Sequence, residues 1–178
     1  MTAFHIRRYE PRDADAVWDL HVRALSAAGA CDEEFAHLDA DLRRIEEAYL
    51  EAGGEFLVGE CGGEDEDELV AMGAFQPHDE DPDTAVLRRM RVSPDHHRRG
   101  FGTAILRELE ARARDDGFER VVLDTTPRQE AAVAFCETHG YDLWRRETVE
   151  MGGEDAGSGG AGGKKELEML FYQKWLEG

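Results

Sequence analysis

The chain has 178 residues, enough for one domain with a sizeable core, and 41% of them are hydrophobic, which excludes a disordered polypeptide. Asp and Glu number 40 against 21 Lys and Arg, a formal charge of −19, and a surface so rich in carboxylate repels nucleic acid and anionic membrane. The three cysteines, Cys31, Cys61 and Cys136, are scattered and odd in number, which argues against a disulfide framework or a four-cysteine zinc site.

With no long apolar run and no basic-then-apolar leader, a soluble cytoplasmic protein is expected. The acidic surplus reads as a halophilic-like adaptation, in which salt screens self-repulsion and carboxylates keep the surface hydrated. An acidic face recruiting a cationic partner is the other reading, and the two are compatible.

In chain order, residues 3–9 alternate weakly and predict a first strand. Pro11 then opens a helix: proline suits the first turn, Asp13 and Asp15 complement the dipole, and Ala16, Val17, Leu20, Ala24 and Leu25 form the apolar stripe. A second helix is predicted from Asp32 to about Leu50, with Phe35, Leu38, Leu42, Ile45 and Tyr49 on one face and Gly53-Gly54 ending it. Strands follow over Phe56–Cys61 and Glu68–Gln76 around an acidic hairpin loop, and a longer one over Thr84–Val92 after an acidic turn at 77–82.

Met90 to Leu106 then reads as the end of a strand, a basic turn with Gly100 and Gly102, and a helix whose Phe101, Ile105, Leu109 and Ala113 recur at i, i+4 and i+8. Such a turn is a place for phosphate. The first amides of a helix lack internal partners and carry the positive end of its dipole, and glycine removes the Cβ atoms that would keep a ligand away. Arg88, Arg89, Arg91, Arg98 and Arg99 fall within twelve positions, joined by His96 and His97. In so acidic a chain this points to a bound anion, or else to ion pairs with nearby carboxylates. Adjacent histidines on a turn rarely chelate one ion, so no metal is expected.

Arg120–Thr125 is a short apolar run consistent with a buried parallel strand, completing a right-handed strand–helix–strand unit. A helix from about Arg128 to His139 follows, capped by Gly140, and then strands over 141–149 and 166–175. Residues 152–163 hold seven glycines and no large apolar side chain, so 152–165 is expected to be a flexible loop inside a single domain spanning 1–178. The order predicts a mixed sheet with helices on both faces, α/β bordering on α+β.

At this point the chain resembles the GCN5-related N-acetyltransferase (GNAT) family. Met90-x-Val92-x-Pro94 followed by His97-Arg98-Arg99-Gly100-Phe101-Gly102 matches the family's central turn, and Gln129 to Tyr141 matches its second signature helix. Arg7 to Leu25 looks like the family's first strand and helix, so the resemblance covers nearly the whole chain. A glycine pair alone is weak evidence, and the absence of a following Gly-Lys-Ser/Thr excludes a P-loop. Two motifs at the right separation in the right element order are specific.

The resemblance implies a mostly antiparallel sheet splayed into a V between its central parallel strands, and acetyl-CoA as acyl donor. Its pyrophosphate would rest on amides of Arg98, Arg99, Gly100, Phe101, Gly102 and Thr103. Its pantetheine arm would pair with the backbone of Met90, Arg91 and Val92, and Gln129 would replace the asparagine that contacts the pantetheine or fixes the loop. It also implies direct transfer, in a ternary complex, to the primary amine of a small molecule, protein or peptide, and homodimerisation is open. Direct transfer needs a base for the amine, a donor for the oxyanion and an acid for the leaving thiolate. Two departures stand out. Val86 occupies one usual carboxylate position, which leaves Asp124 as candidate base, or as a turn acceptor for 125–128. Cys136 occupies the usual tyrosine position, either as acid or as a small buried packing residue. These departures support a second reading, a catalytically impaired acyl-CoA-binding sensor or interaction domain. The acidic turn at Asp79, Glu80, Asp81 and Asp83 points weakly to a cationic acceptor.

Overall fold

The computed structural model describes residues 3–29, 39–62, 67–151 and 165–177. These form seven strands and three α-helices in a mixed α/β fold, in two compact units. The first comprises Met1–Val121 with Leu176–Gly178, the second Val122–Trp175.

In the first unit, β1 (Phe4–Arg8), β2 (Glu55–Gly62), β3 (Asp67–Pro77) and β4 (Thr84–Val92) pair antiparallel in that order. Strand side chains alternate between faces, and the two helices use opposite ones. Met72 and Ala74 join Val17 and Leu20 of α1 (Ala14–Ala27) and Tyr49 and Phe56 in one buried cluster. Gly73, between them, faces Ile105 and Leu109 of α2 (Phe101–Asp115). The predicted stripe of α2 is the buried one: Ile105, Leu109 and Ala113 are fully enclosed, each of the two larger side chains contributing about 2 kcal/mol. Phe101 caps the row by stacking on Phe4, ring centroids 4.1 Å apart. Glu55, buried on β2, is clasped by Arg8 at 2.8 Å and by Arg112 of α2 at 3.1 Å.

Two predicted helices are corrected. Pro11–Asp13 is a 3-10 turn, and the α-helix begins at Ala14. Asp13 is the reason: it accepts two bonds from Arg7 and one from the Glu10 amide, which tightens the turn. The helix predicted over 32–50 is not continuous. Residues 30–38 lie outside the described residues, 39–43 form a 3-10 stretch, and Glu46–Leu50 is a π-turn. It closes through Glu51 N–H to Glu46 O and Gly54 N–H to Tyr49 O, with Gly53 at φ 86°. Of the predicted apolar positions, Leu42, Ile45 and Tyr49 are buried, and Phe35 and Leu38 lie outside the described residues. The geometry differs where Asp39 and Asp41 bond to a single side chain of β4, that of Arg89.

The second unit holds the end of β5 (Arg120–Thr125), α3 (Glu130–Thr138), and the antiparallel hairpin of β6 (Asp142–Met151) and β7 (Lys165–Trp175). The glycine-rich run at 152–164 lies outside the described residues. Among the described residues no helix is long and apolar enough to cross a membrane.

Candidate ligand site

Strand β4 is pinned at its end by Ser93 N–H donating to Val70 O at 2.7 Å, and a 3-10 turn, Pro94–His96, follows. Arg98 and Gly100 then take positive φ, 64° and 80°. Left-handed residues set among ordinary ones turn successive amides toward one side, which makes a concave anion cradle. Gly100 is the N-cap of α2, and a Cβ there would meet nothing within 4 Å. Glycine is required at this position for its backbone angle rather than for clearance.

The start of α2 is left open to a ligand. No side chain caps it and its first turn holds no acidic residue, in a chain of net charge −19. The first helical bond runs from Ala104 N–H to Gly100 O at 3.0 Å, so the amides of Phe101 and Gly102 precede it, at the positive end of a 15-residue helix. Arg98 and Arg99 are exposed and make no ion pair among the described residues. His97 donates from Nε2 to Val92 O at 3.2 Å, closing the turn.

Upstream, β4 carries a bulge. Met72 pairs with Arg91 and Ala74 with Arg88, so Gly73 alone opposes Arg89 and Met90. A Cβ on Gly73 would lie 2.5 Å from Met90 Sδ and 2.6 Å from Ile105 Cγ2, so only glycine lets the bulge and α2 approach. The bulge breaks the regular alternation expected of Arg88 and Arg89. Arg89, at φ 59°, pairs with Asp39 at 2.7 Å and with Asp41 at 2.5 Å, and Tyr49 donates its hydroxyl to Asp41. Burial alone would raise both aspartates, but the close approach of His21 and the bonds from Arg89 to Asp39, and the bonds from Arg89 and Tyr49 to Asp41, hold them below the ordinary value of 3.8. Arg91 differs: its Nη1 donates to Met90 O at 2.9 Å, and its buried Nε has no partner. Of the three backbone carbonyls expected to face a pantetheine, those of Met90 and Val92 thus already accept one side-chain bond each.

In the second unit, Asp124 is exposed, and no hydrogen bond or ion pair restrains it among the described residues. The turn it was expected to cap is closed without it. Gln129 N–H donates to Thr126 O at 3.0 Å, and Thr125 Oγ1 donates to Gln129 Oε1 at 3.1 Å. Cys136 is 2% exposed, and burial pushes its thiol up to about 11. The acidic turn has a structural use: Asp81 accepts from Thr84 at 2.7 Å and from Arg120 at 3.0 Å.

The sequence reading missed the buried network of His21, Asp39, Asp41, Tyr49 and Arg89. Its members come from four separate elements, and the one available signal was a second aspartate, Asp41, set in an apolar stripe. Among the described residues no group of three or more His, Cys, Asp or Glu is arranged to hold a metal.

Comparison with known proteins follows the same lines. Residues 15–141 match the acetyltransferase (GNAT) family. N-acetyltransferase family 8 member 2 of Rattus norvegicus is 36% identical over 107 residues, covering 58% of this chain and 46% of its own length. N-acetyltransferase 8 of Homo sapiens is 34% identical over 112 residues, with coverages of 58% and 46%. The chain thus spans about half the length of the curated relatives it matches. Among solved structures, yncA of Salmonella typhimurium, determined with its cofactor acetyl-CoA, superimposes with a TM-score of 0.73 at 21% identity, over 98% of this chain and 95% of that one. A GNAT-family acetyltransferase of Staphylococcus aureus Mu50 gives the same TM-score at 17% identity, over 98% and 100%. At these identities the superpositions show the fold.

Proposed function

The chain belongs to the acetyltransferase (GNAT) family, and from that premise we propose that it transfers an acetyl group from acetyl-CoA to a primary amine by direct attack. The open, uncapped start of α2 behind Arg98 and Gly100 carries the reading. It offers backbone N–H groups, a helix dipole and two unpaired arginines to a pyrophosphate, which is the donor's most strongly charged recurring feature. The pantetheine arm then runs back along β4 from Val92 toward Met90.

Asp124 is proposed as the base that takes the amine's proton. An exposed carboxylate without a structural bond is free to accept one, whereas a carboxylate fixed in an ion pair is not. For Cys136, burial supports packing over proton donation. A thiol raised to about 11 is a weaker acid than an ordinary thiol near 8.5, so proton transfer from it to a departing thiolate runs uphill. It is also too protonated to act as a nucleophile at neutral pH. The proton on the leaving CoA then comes from the amine by way of Asp124 and solvent.

The test pairs calorimetric binding of acetyl-CoA with thiol release on a panel of amines. Asp124→Asn is expected to lower turnover at neutral pH by roughly 100-fold with little effect on acetyl-CoA affinity. Full activity of that variant excludes Asp124 as base. Tight binding of acetyl-CoA with no turnover on any amine supports the second reading, a sensor that has lost catalysis, which the replacements at Val86 and Cys136 favour.

A further inference from the structure

Arg91 is in an unusual electrostatic position. Its neighbour Arg89 takes both nearby carboxylates, Asp39 and Asp41, in direct bonds. Asp41 is further occupied by the Tyr49 hydroxyl, and Asp39 by His21, whose Nε2 lies 3.0 Å from Oδ2, although out of line for a full hydrogen bond. Among the described residues Arg91 receives no carboxylate. Its side chain is half-buried, its Nη1 is held by Met90 O, its Nε is buried without an acceptor, and its Nη2 makes no hydrogen bond among the described residues. The Nε–Nη2 edge of the guanidinium, the edge that pairs bidentately with a carboxylate, is therefore unused.

A half-buried cation without its counter-ion is costly, and completion by a ligand is one reason for a fold to keep it. Further polar groups nearby lack partners. Ser93, just past the end of the strand, is wholly buried with Oγ unpartnered, and Nδ1 of His21, on helix α1, is unpartnered too. Burial lowers the His21 pKa, which keeps this imidazole neutral and leaves it no rival to Arg91 for an anion.

Resting on the transferase reading above, we infer that Arg91 binds the carboxylate of the acceptor, so that the substrate is an amino-carboxylate rather than a polyamine. Charge selects a carboxylate over a phosphate. The unused edge fits either group bidentately, so its geometry leaves the choice to charge. Asp39 stands close enough to act on Arg91, so a singly charged anion is tolerated where a doubly charged one is repelled. The position suits an acceptor: the guanidinium leaves the same strand segment, Met90 to Val92, whose backbone would carry the pantetheine.

The experiment compares amino acids with the amines that lack only the carboxylate, phenylalanine with phenethylamine and leucine with isoamylamine, in wild type, Arg91→Gln and Arg91→Lys. Wild type is expected to favour the carboxylate member of a pair by about 10- to 100-fold in kcat/KM, the effect of a hydrogen-bonded charge. In Arg91→Gln that ratio falls toward one, because the carboxylate member loses far more than the amine, while Arg91→Lys recovers part of it. A ratio near one in wild type, or an equal loss on both members, overturns the inference and leaves the transferase reading standing. So does an acetyl-CoA affinity that falls in parallel, since Arg91 would then serve the donor. If acetyl-CoA binds but no amine is turned over, the transferase reading is what fails. Calorimetry of N-acetylphenylalanine and N-acetylleucine onto the CoA-saturated protein then decides the anion site. Binding by wild type that is lost in Arg91→Gln supports it, and binding by neither, or equally by both, overturns it.

Discussion

The arginines of 88–99 serve two regions of the first unit that handle charge in opposite ways. On β4, Arg89 is enclosed, bonded to two aspartates and bent into positive φ by a bulge. In the turn beyond it, Arg98 and Arg99 are exposed and unpaired among the described residues, while the backbone does the shaping. The first region stabilises the fold and holds a geometry. The second is left open at some cost in self-repulsion and solvation, which is what a binding surface requires. Arginine clustering in an acidic chain thus combines ion-paired side chains with exposed ones open to an anion, and only burial separates the two.

The largest effect should come from Arg89→Ala, which strands Asp39 and Asp41. Their side chains are 16% and 21% exposed, so a loss toward the low end for buried pairs is expected, about 3 kcal/mol by denaturant unfolding. The pH dependence has a definite sign. Both aspartates are held below 3.8 in the folded protein, so their contribution is complete above that value and is lost as pH falls through the lower folded values. In Arg89→Ala the acid transition should move to higher pH. An unchanged acid transition would mean that the network does not stabilise the fold. On the other side of the comparison, Gly102→Glu puts a carboxylate at the open start of α2. It should weaken acetyl-CoA binding by roughly 100-fold through like-charge repulsion while leaving the unfolding midpoint nearly unchanged. Unchanged affinity would remove the turn from the site.

The two regions also differ in how far the sequence revealed them. The turn was legible because its signal is local: two glycines, a run of basic residues and a helical stripe lie within one stretch, and each constrains the same few backbone angles. The strands of the first unit were legible for the same reason, with boundaries within a residue or two. The network on β4 was not. It depends on a bulge that forms because Gly73 on the neighbouring strand admits Met90 and Ile105. Nothing in the local pattern of Thr84–Val92 announces a partner's missing side chain. The error over 32–50 has the same origin, since its apolar spacing fits a helix and the pull of Arg89 on Asp39 and Asp41 is long-range. The unused edge of Arg91 was out of reach altogether, because it is defined by partners that Arg91 lacks.

Gly73→Ala probes the join of the two regions. A Cβ at 2.5 Å from Met90 and 2.6 Å from Ile105 must move β4 or α2, at about 1–3 kcal/mol for overpacking. Because the turn hangs from the end of β4, acetyl-CoA affinity should fall along with stability. A stability loss with unaltered affinity would show that the turn keeps its shape independently of the bulge.

The smallest effect isolates the arginine side chains from the backbone cradle. Arg98→Gln with Arg99→Gln removes two exposed charges and leaves the amides, the glycines and the helix dipole in place. If the backbone shapes the site and the arginines only raise the local potential, the double variant should lose about three- to tenfold in acetyl-CoA affinity at low salt, in keeping with exposed ionic contacts. The loss should shrink as salt rises, since at 1 M the Debye length is only about 3 Å. A loss that persists in high salt would mean that the guanidinium groups contact the phosphates directly in a desolvated geometry. The division between an enclosed ionic network and an open backbone cradle would then fail at the turn, and the arginines on both sides of it would be doing the same work.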